Sequence, residues 1–237
     1  MVVEGFKGVL ELLNSSLITE RIYVTTGSDY PAIKSVAQEN EVEVCEVSKK
    51  DMEIMSSLKK APGVLAVGEI KYSTEELLLR FLKNPQDSAI PTLLLLDDLV
   101  DPGNVGTLIR TASWFGLAGV VCSPRTVDVW NAKTIQSSMG SVFNTPIIVA
   151  DLKEFIESNN INCVVLDAGG SDLHFSEILP SAIVVGSESH GVSKSLSEIS
   201  SEVWSIPGSG NAESLNASIA GSIACSVLAQ KWSSLSS

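Results

Sequence analysis

The chain has 237 residues, 44% of them hydrophobic and 19% charged, which is apolar material for a sizeable core and a length suited to one or two domains. It contains no run of 18 apolar residues, so no membrane span is expected, and its N-terminus lacks the basic-then-apolar pattern of a signal peptide. The net charge is −12, with 10 basic against 14 acidic side chains in residues 1–89 and 6 against 14 in residues 90–237; composition therefore leans against nucleic acid as a partner and leaves only a local basic patch for holding phosphates.

Cys45, Cys122, Cys163 and Cys225 are scattered without a C-x-x-C pair, and His174 and His190 are the only histidines. That usage suits reduced, mostly buried thiols in a cytoplasmic protein. It suits neither a zinc site nor a disulfide framework, and no metal is expected.

In chain order, residues 1–71 read as a small α/β unit. GFKGVLELLNSS is a helix with Phe6, Val9, Leu10 and Leu13 on one face. RIYVTT is a strand, YPAIKSVAQEN a helix with Pro31 near its start, and EVEVCEV an alternating strand. SKKDMEIMSSLK is a helix and GVLAVGEI the closing strand. Lys7, Lys34, Lys49, Lys50, Lys59 and Lys60 could meet phosphates, although a solvated surface accounts for any one of them. Residues 72–91 read as a linker: STEELLLRFLK forms a short helix and the turn-rich NPQDSAIP breaks the periodicity.

Residues 92–237 form the larger unit. TLLLL at 92–96 is a buried strand, and Asp97, Asp98, Asp101, Pro102 and Gly103 form the loop after it. Asn104 stands at a helix N-cap, Val105, Leu108, Ile109, Ala112 and Phe115 follow at helical spacing, and Gly116 closes the helix. Asn104 and Gly106 thus lie at a strand-to-helix mouth with Arg110 further in, where open α/β sheets place their ligands. GVVC is a strand and VWNAKTIQSSMG supplies a helix ending at Gly140. TPIIVA, NCVVLDA and AIVVG are strands, with the helix DLKEFIES between the first two. VWSIP leads into the glycine-rich GSGNAE, and residues 214–232 form a long helix with Ala220, Ile223, Ala224, Val227 and Leu228 on one face. The strand–helix alternation implies a mainly parallel sheet. There is no G-x-G-x-x-G after a strand, no P-loop and no nucleophile elbow.

Three stretches, DPGNVGTLIRTASWFG, IVVGSESHGVS and IPGSGNAESLNASIA, resemble in order and spacing the three signatures of the SpoU-type (TrmH-like) RNA 2′-O-methyltransferases of the knotted SPOUT class. The resemblance covers residues 92 to the C-terminus, with a weaker match before it. It implies an α/β fold with a deep C-terminal trefoil knot and a small N-terminal RNA-recognition domain. It also implies a homodimer and transfer of a methyl group from S-adenosyl-L-methionine to a ribose 2′-hydroxyl in structured RNA, ribosomal RNA first and transfer RNA second. In such enzymes a basic stretch often precedes the N-terminal domain, and none stands before VVEG at residues 2–5.

The positions matching the family's polar set are Asn104, Arg110, Glu188, Ser214 and Asn216. Those matching its cofactor pocket are Gly186, Ile206 and Leu215. Gly186 would let the cofactor approach the backbone without a Cβ in the way. Arg110, a permanent cation, suits an adjacent phosphate and developing oxyanion charge better than a role as base. Glu188 would orient or neutralise Arg110. Asn104 reads both as N-cap and as substrate-positioning group. Ser214 and Asn216 read both as ribose ligands and as caps of the last helix. Asp97, Asp98 and Asp101 superficially resemble a metal cluster, but loop solvation explains them. The chain departs from the family at Gly208, where many relatives carry a bulkier apolar residue, and at Gln136, where relatives often place arginine. A non-catalytic RNA- or ribosome-binding protein, or a small-molecule methyltransferase, are the competing readings that the acidity keeps open.

Overall fold

A computed structural model describes residues 1–84 and 90–235; most of the turn-rich stretch expected at 84–91 lies outside the described residues. The N-terminal unit runs β1 (Val2–Glu4), α1 (Phe6–Leu13), β2 (Thr19–Thr25), α2 (Pro31–Glu39), β3 (Glu43–Val47), α3 (Lys49–Met55) and β4 (Val64–Gly68). Its sheet has the order β1-β4-β2-β3, with β2 and β3 parallel and β4 antiparallel to both β1 and β2. Pro31 opens α2 and the Ser48 hydroxyl caps α3, as local start signals require. In α1 the buried face is Val9, Leu12 and Leu13, while Phe6 is 45% exposed. The expected face is thus turned, and Phe6 is left outside the core. β1 was not anticipated, because three residues are too few for a period to show.

The second unit continues α4 (Glu75–Lys83), β5 (Ile90–Asp97), α5 (Pro102–Phe115), β6 (Leu117–Cys122), α6 (Ala132–Ser138), β7 (Ile147–Val149), α7 (Leu152–Ser158), β8 (Cys163–Asp172), β9 (Ala182–Gly186), α8 (Lys194–Ser197), β10 (Glu202–Ser205) and α9 (Ala217–Leu235). The sheet order is β10-β8-β9-β5-β6-β7, and every adjacent pair is parallel. β5 is central, and its side chains alternate between two cores. Leu94 and Leu96 pack with residues of α5 and α9, whereas Leu93 and Leu95 pack with Leu78 of α4, with α7 and with Leu196 of α8. Both faces of the parallel sheet are therefore covered, as its near-continuous apolar strands demand. Within residues 72–91 the helix α4, capped by Thr74, belongs to this packing.

Several bounds differ from the sequence reading. The N-cap of α5 is Asp101, whose carboxylate accepts from the Asn104 amide, and Pro102 occupies the first turn; Asn104 lies inside the helix. α6 stops at Ser138, with Met139 left-handed (φ 53°) before Gly140 (φ 88°). α9 begins at Ala217, so Ser214 lies outside it, and its most buried face includes Gly221 and Cys225 rather than Ala220 and Ile223.

The two units share one core. Val3, Val9 and Leu12 belong to the same apolar cluster as Ile135, Val142 and Phe143. At Gly140 an added Cβ would lie 2.7 Å from Glu11 Cβ, so α1 packs directly on the turn after α6. Among the described residues no helix is long and apolar enough to cross a membrane, and all four cysteines are free thiols.

Candidate active site

The site assembles at the C-terminal end of the central strands. β5 ends in Asp97, only 6% exposed, and its Oδ2 accepts from the Ser193 amide at 2.8 Å. Asp97 is thus not a solvated loop carboxylate; it ties the end of β5 to the turn following β9. Asp98 is held by the Ser123 hydroxyl (2.7 Å) and by Arg125. Burial pushes the Asp98 carboxyl up, but those two partners outweigh it and hold it below the ordinary carboxylate range. Asp101 is spent on the α5 cap. The three aspartates therefore have three separate duties.

At the end of β9, Gly186 leads into a turn closed by the Gly191 amide donating to the Ser187 carbonyl (2.9 Å), with Gly191 left-handed at φ 67°. A Cβ on Gly186 would fall 2.1 Å from the Gly191 carbonyl carbon. Glycine is demanded there by the turn's own backbone, a requirement that neighbouring residues impose without any cofactor. This turn carries Glu188.

Glu188 accepts from Asn104 Nδ2, and Asn104 Oδ1 accepts from Asn216 Nδ2 at 3.0 Å. Asn216 Oδ1 in turn accepts from the Ser218 amide (3.0 Å), the Ser218 hydroxyl (2.7 Å) and the Ile219 amide (3.3 Å), capping α9. One chain of side-chain hydrogen bonds therefore joins all three sequence stretches. Asn104 has both amide ends engaged, with one Nδ2 proton left over. Thr111 and Ser222 hydroxyls, 2.9 Å apart, add a second link between α5 and α9.

Arg110 is exposed and its side chain makes no hydrogen bond or ion pair with another described residue. Glu188, expected to orient or neutralise it, makes no ion pair with Arg110; the partner its carboxylate has is Asn104. Ser214 is exposed and stands outside the network. Ile206 is partly buried against the main core, while Leu215 is 47% exposed. Among the described residues, the backbone groups of 207–215 make no hydrogen bond within the chain, and Gly208 and Gly210 have open space where a Cβ would sit. A loop with free backbone donors and acceptors, an exposed leucine and no steric obstruction fits a nucleoside-bearing cofactor held by main-chain groups.

Residues 91–226 match the family model described as the SpoU rRNA methylase family. The chain belongs to that family. Residues 2–72 match the model for RNA 2′-O ribose methyltransferase substrate binding. An uncharacterized tRNA/rRNA methyltransferase of Mycolicibacterium gilvum is 31% identical over 97% of this chain and 76% of its own length. Another, of Archaeoglobus fulgidus, is 32% identical over 86% and 87%. Among solved structures, an AdoMet-bound rRNA methyltransferase from Sinorhizobium meliloti aligns with TM-score 0.81 and 26% identity over 97% of this chain and 87% of that one. The AdoMet complex of AviRb from Streptomyces viridochromogenes shares the fold at TM-score 0.84 and 20% identity over 98% and 89%. SpoU methyltransferases use S-adenosylmethionine, which is the cofactor the family assigns here.

The convergence of Asp97 on Ser193 and the capping by Asp101 escaped the sequence reading. The Asp-Pro pair preceding Asn104 was the available signal for the latter, since Asp at the cap and Pro in the first turn open many helices.

Proposed function

We propose that this protein transfers a methyl group from S-adenosylmethionine to a ribose 2′-hydroxyl of structured RNA, ribosomal RNA first and transfer RNA second. In this reading residues 1–71 recognise the RNA, residues 72–91 connect, and residues 92–237 carry the transfer and the C-terminal knot. The observation that carries it is the Glu188–Asn104–Asn216 chain, with an exposed, unpaired Arg110 side chain on the same helix as Asn104. The bound cofactor supplies an electrophilic methyl on a sulfonium centre. The chain's own task is to hold the hydroxyl oxygen in line and manage its charge. Glu188 and Asn216 fix the Asn104 amide, whose remaining Nδ2 proton is available to the ribose. Arg110, free of any carboxylate, binds the neighbouring phosphate and stabilises negative charge on the oxygen as the hydroxyl proton leaves to solvent and the methyl replaces it. Gly186, Ile206 and Leu215 border the cofactor, and Ser214 meets the ribose if the 207–215 loop folds onto it. Trp114, 82% exposed on α5, supports a homodimer paired through the α5–α9 face.

The test is methyl transfer from labelled S-adenosylmethionine to unmodified ribosomal and transfer RNA, with nucleoside analysis of the product. Wild type should yield 2′-O-methylated nucleosides. Arg110→Ala should lose at least ~100-fold in rate, the scale of one lost oxyanion donor, while still binding cofactor. Cofactor binding without transfer to either RNA would move the assignment to a non-catalytic RNA-binding protein.

A further inference from the structure

α6 has two working faces. Ser137 donates to the Pro102 carbonyl at 3.1 Å, and Thr134 and Ser138 abut Gly106, so one face braces the start of α5 beside Asn104. The other face, with Ile135, Gln136 and Met139, closes a cleft against Phe6, Lys7 and Leu58 of the N-terminal unit. The cleft holds about 270 Å³. That is below the ~300–1,000 Å³ of pockets that enclose whole drug-sized ligands, so it suits a single ring system rather than the cofactor.

Its chemistry points to a nucleobase. Phe6 lines the cleft, is 45% exposed, and is itself stacked on Tyr30 with centroids 6.1 Å apart and planes 23° from parallel. Gln136 is exposed and its side chain has no hydrogen-bond partner among the described residues, so its amide is free to read a base edge. Met139 is 41% exposed on a left-handed backbone, presenting a polarisable thioether at the mouth. Lys7 lines the cleft, and Lys59 and Lys60 follow Leu58 directly; all three are exposed and unpaired among the described residues. Two carboxylates are close. Glu4 is consumed by the Ser56 and Ser57 hydroxyls and the Ser57 amide (2.9 Å), whereas Glu11 packs over Gly140 and disfavours a phosphate inside the cleft. A neutral aromatic ring inside with phosphates on the lysine rim satisfies both conditions.

We infer that the cleft between the N-terminal unit and α6 is a subsite for one unpaired RNA nucleobase, stacked on Phe6 and read by Gln136. The inference rests on the RNA reading above. One helix, ~10–12 Å across, separates this base from Asn104, so it belongs to a nucleotide close in the strand to the one modified.

The experiment measures binding of the full chain to a labelled single-stranded RNA of mixed sequence, roughly 12 nucleotides long, by fluorescence anisotropy. Phe6→Leu keeps apolar volume but removes the stacking face and should weaken binding at least ~5-fold, the low end for one base–aromatic stack. Phe6→Trp should restore it, S-adenosylmethionine affinity should stay unchanged in both, and thermal unfolding should confirm intact folds. A thiouridine in the same RNA should photo-crosslink to the peptide containing Phe6 or Met139. Equal RNA affinity of wild type and Phe6→Leu overturns the subsite and leaves the transfer reading standing. Absence of RNA binding by wild type also overturns it, and the transfer assay then reports independently whether the activity falls with it.

Discussion

Asn216 does two things with two ends of one amide. Its oxygen caps α9 and its nitrogen holds Asn104. The duties separate by substitution. Asn216→Asp keeps an acceptor for the Ser218 and Ile219 amides and favours the positive end of the helix. It also sets a carboxylate oxygen against Asn104 Oδ1 with no proton to share. Stability should be unchanged within ~0.5 kcal/mol, while methyl transfer falls ~10-fold or more as Asn104 swings away. Asn216→Ala loses both duties and should cost about 1 kcal/mol in denaturant unfolding as well as activity. If Asn216→Asp retained full activity, the Asn104–Asn216 bond would be structural and the proposed positioning role would fail.

At the scale of elements, two helix crossings decide how the site is held. At Gly106 on α5 an added Cβ would lie 2.5 Å from the Thr134 carbonyl oxygen and 2.8 Å from the Ser138 nitrogen, both backbone. At Gly221 on α9 it would meet Leu108 Cδ2 at 2.5 Å, the tip of a side chain that can turn. Gly106→Ala must therefore push α6 away, and overpacking of that kind costs ~1–3 kcal/mol. Gly221→Ala should cost less, and the helix propensity of alanine offsets part of it. Urea unfolding of the two variants should rank them in that order. Because α6 also walls the nucleobase cleft, Gly106→Ala should weaken RNA binding too. Legibility followed the same scale. β5 and the body of α5 were readable because an apolar run, helical spacing and a Gly116 stop are all local, whereas the Asp101-Pro102 start was read as loop. β1 was not, because its only reason to be a strand is β4 beside it. The end of β8, AGGSD, carries no strand signal and is extended by pairing with β10 past a register shift at Val203/Trp204. The site's polar residues could be named from the resemblance, but the bonds among them span 84 and 112 residues and no local pattern encodes them.

For the whole molecule the question is how a chain of net charge −12 holds a polyanion. Long-range attraction is absent, and pairing two copies would double the negative charge rather than relieve it. Binding must then rest on few phosphate contacts supplemented by stacking and shape, and this has a measurable signature. Among the described residues, cations without a side-chain partner around the cleft and site include Lys7, Lys59, Lys60 and Arg110. Were all of these to neutralise phosphates of a single strand, log K would fall against log salt with a slope of about −3, a loss of roughly 50-fold between 50 and 200 mM. Basic proteins with six to ten such contacts lose ~10³–10⁵-fold over that range. Phe6→Leu should lower affinity at every salt concentration without changing the slope, since stacking releases no counterions. Lys59→Ala together with Lys60→Ala should flatten the slope by about 1.4. A wild-type slope steeper than about −5 would mean that another cationic surface, not this cleft, carries the RNA.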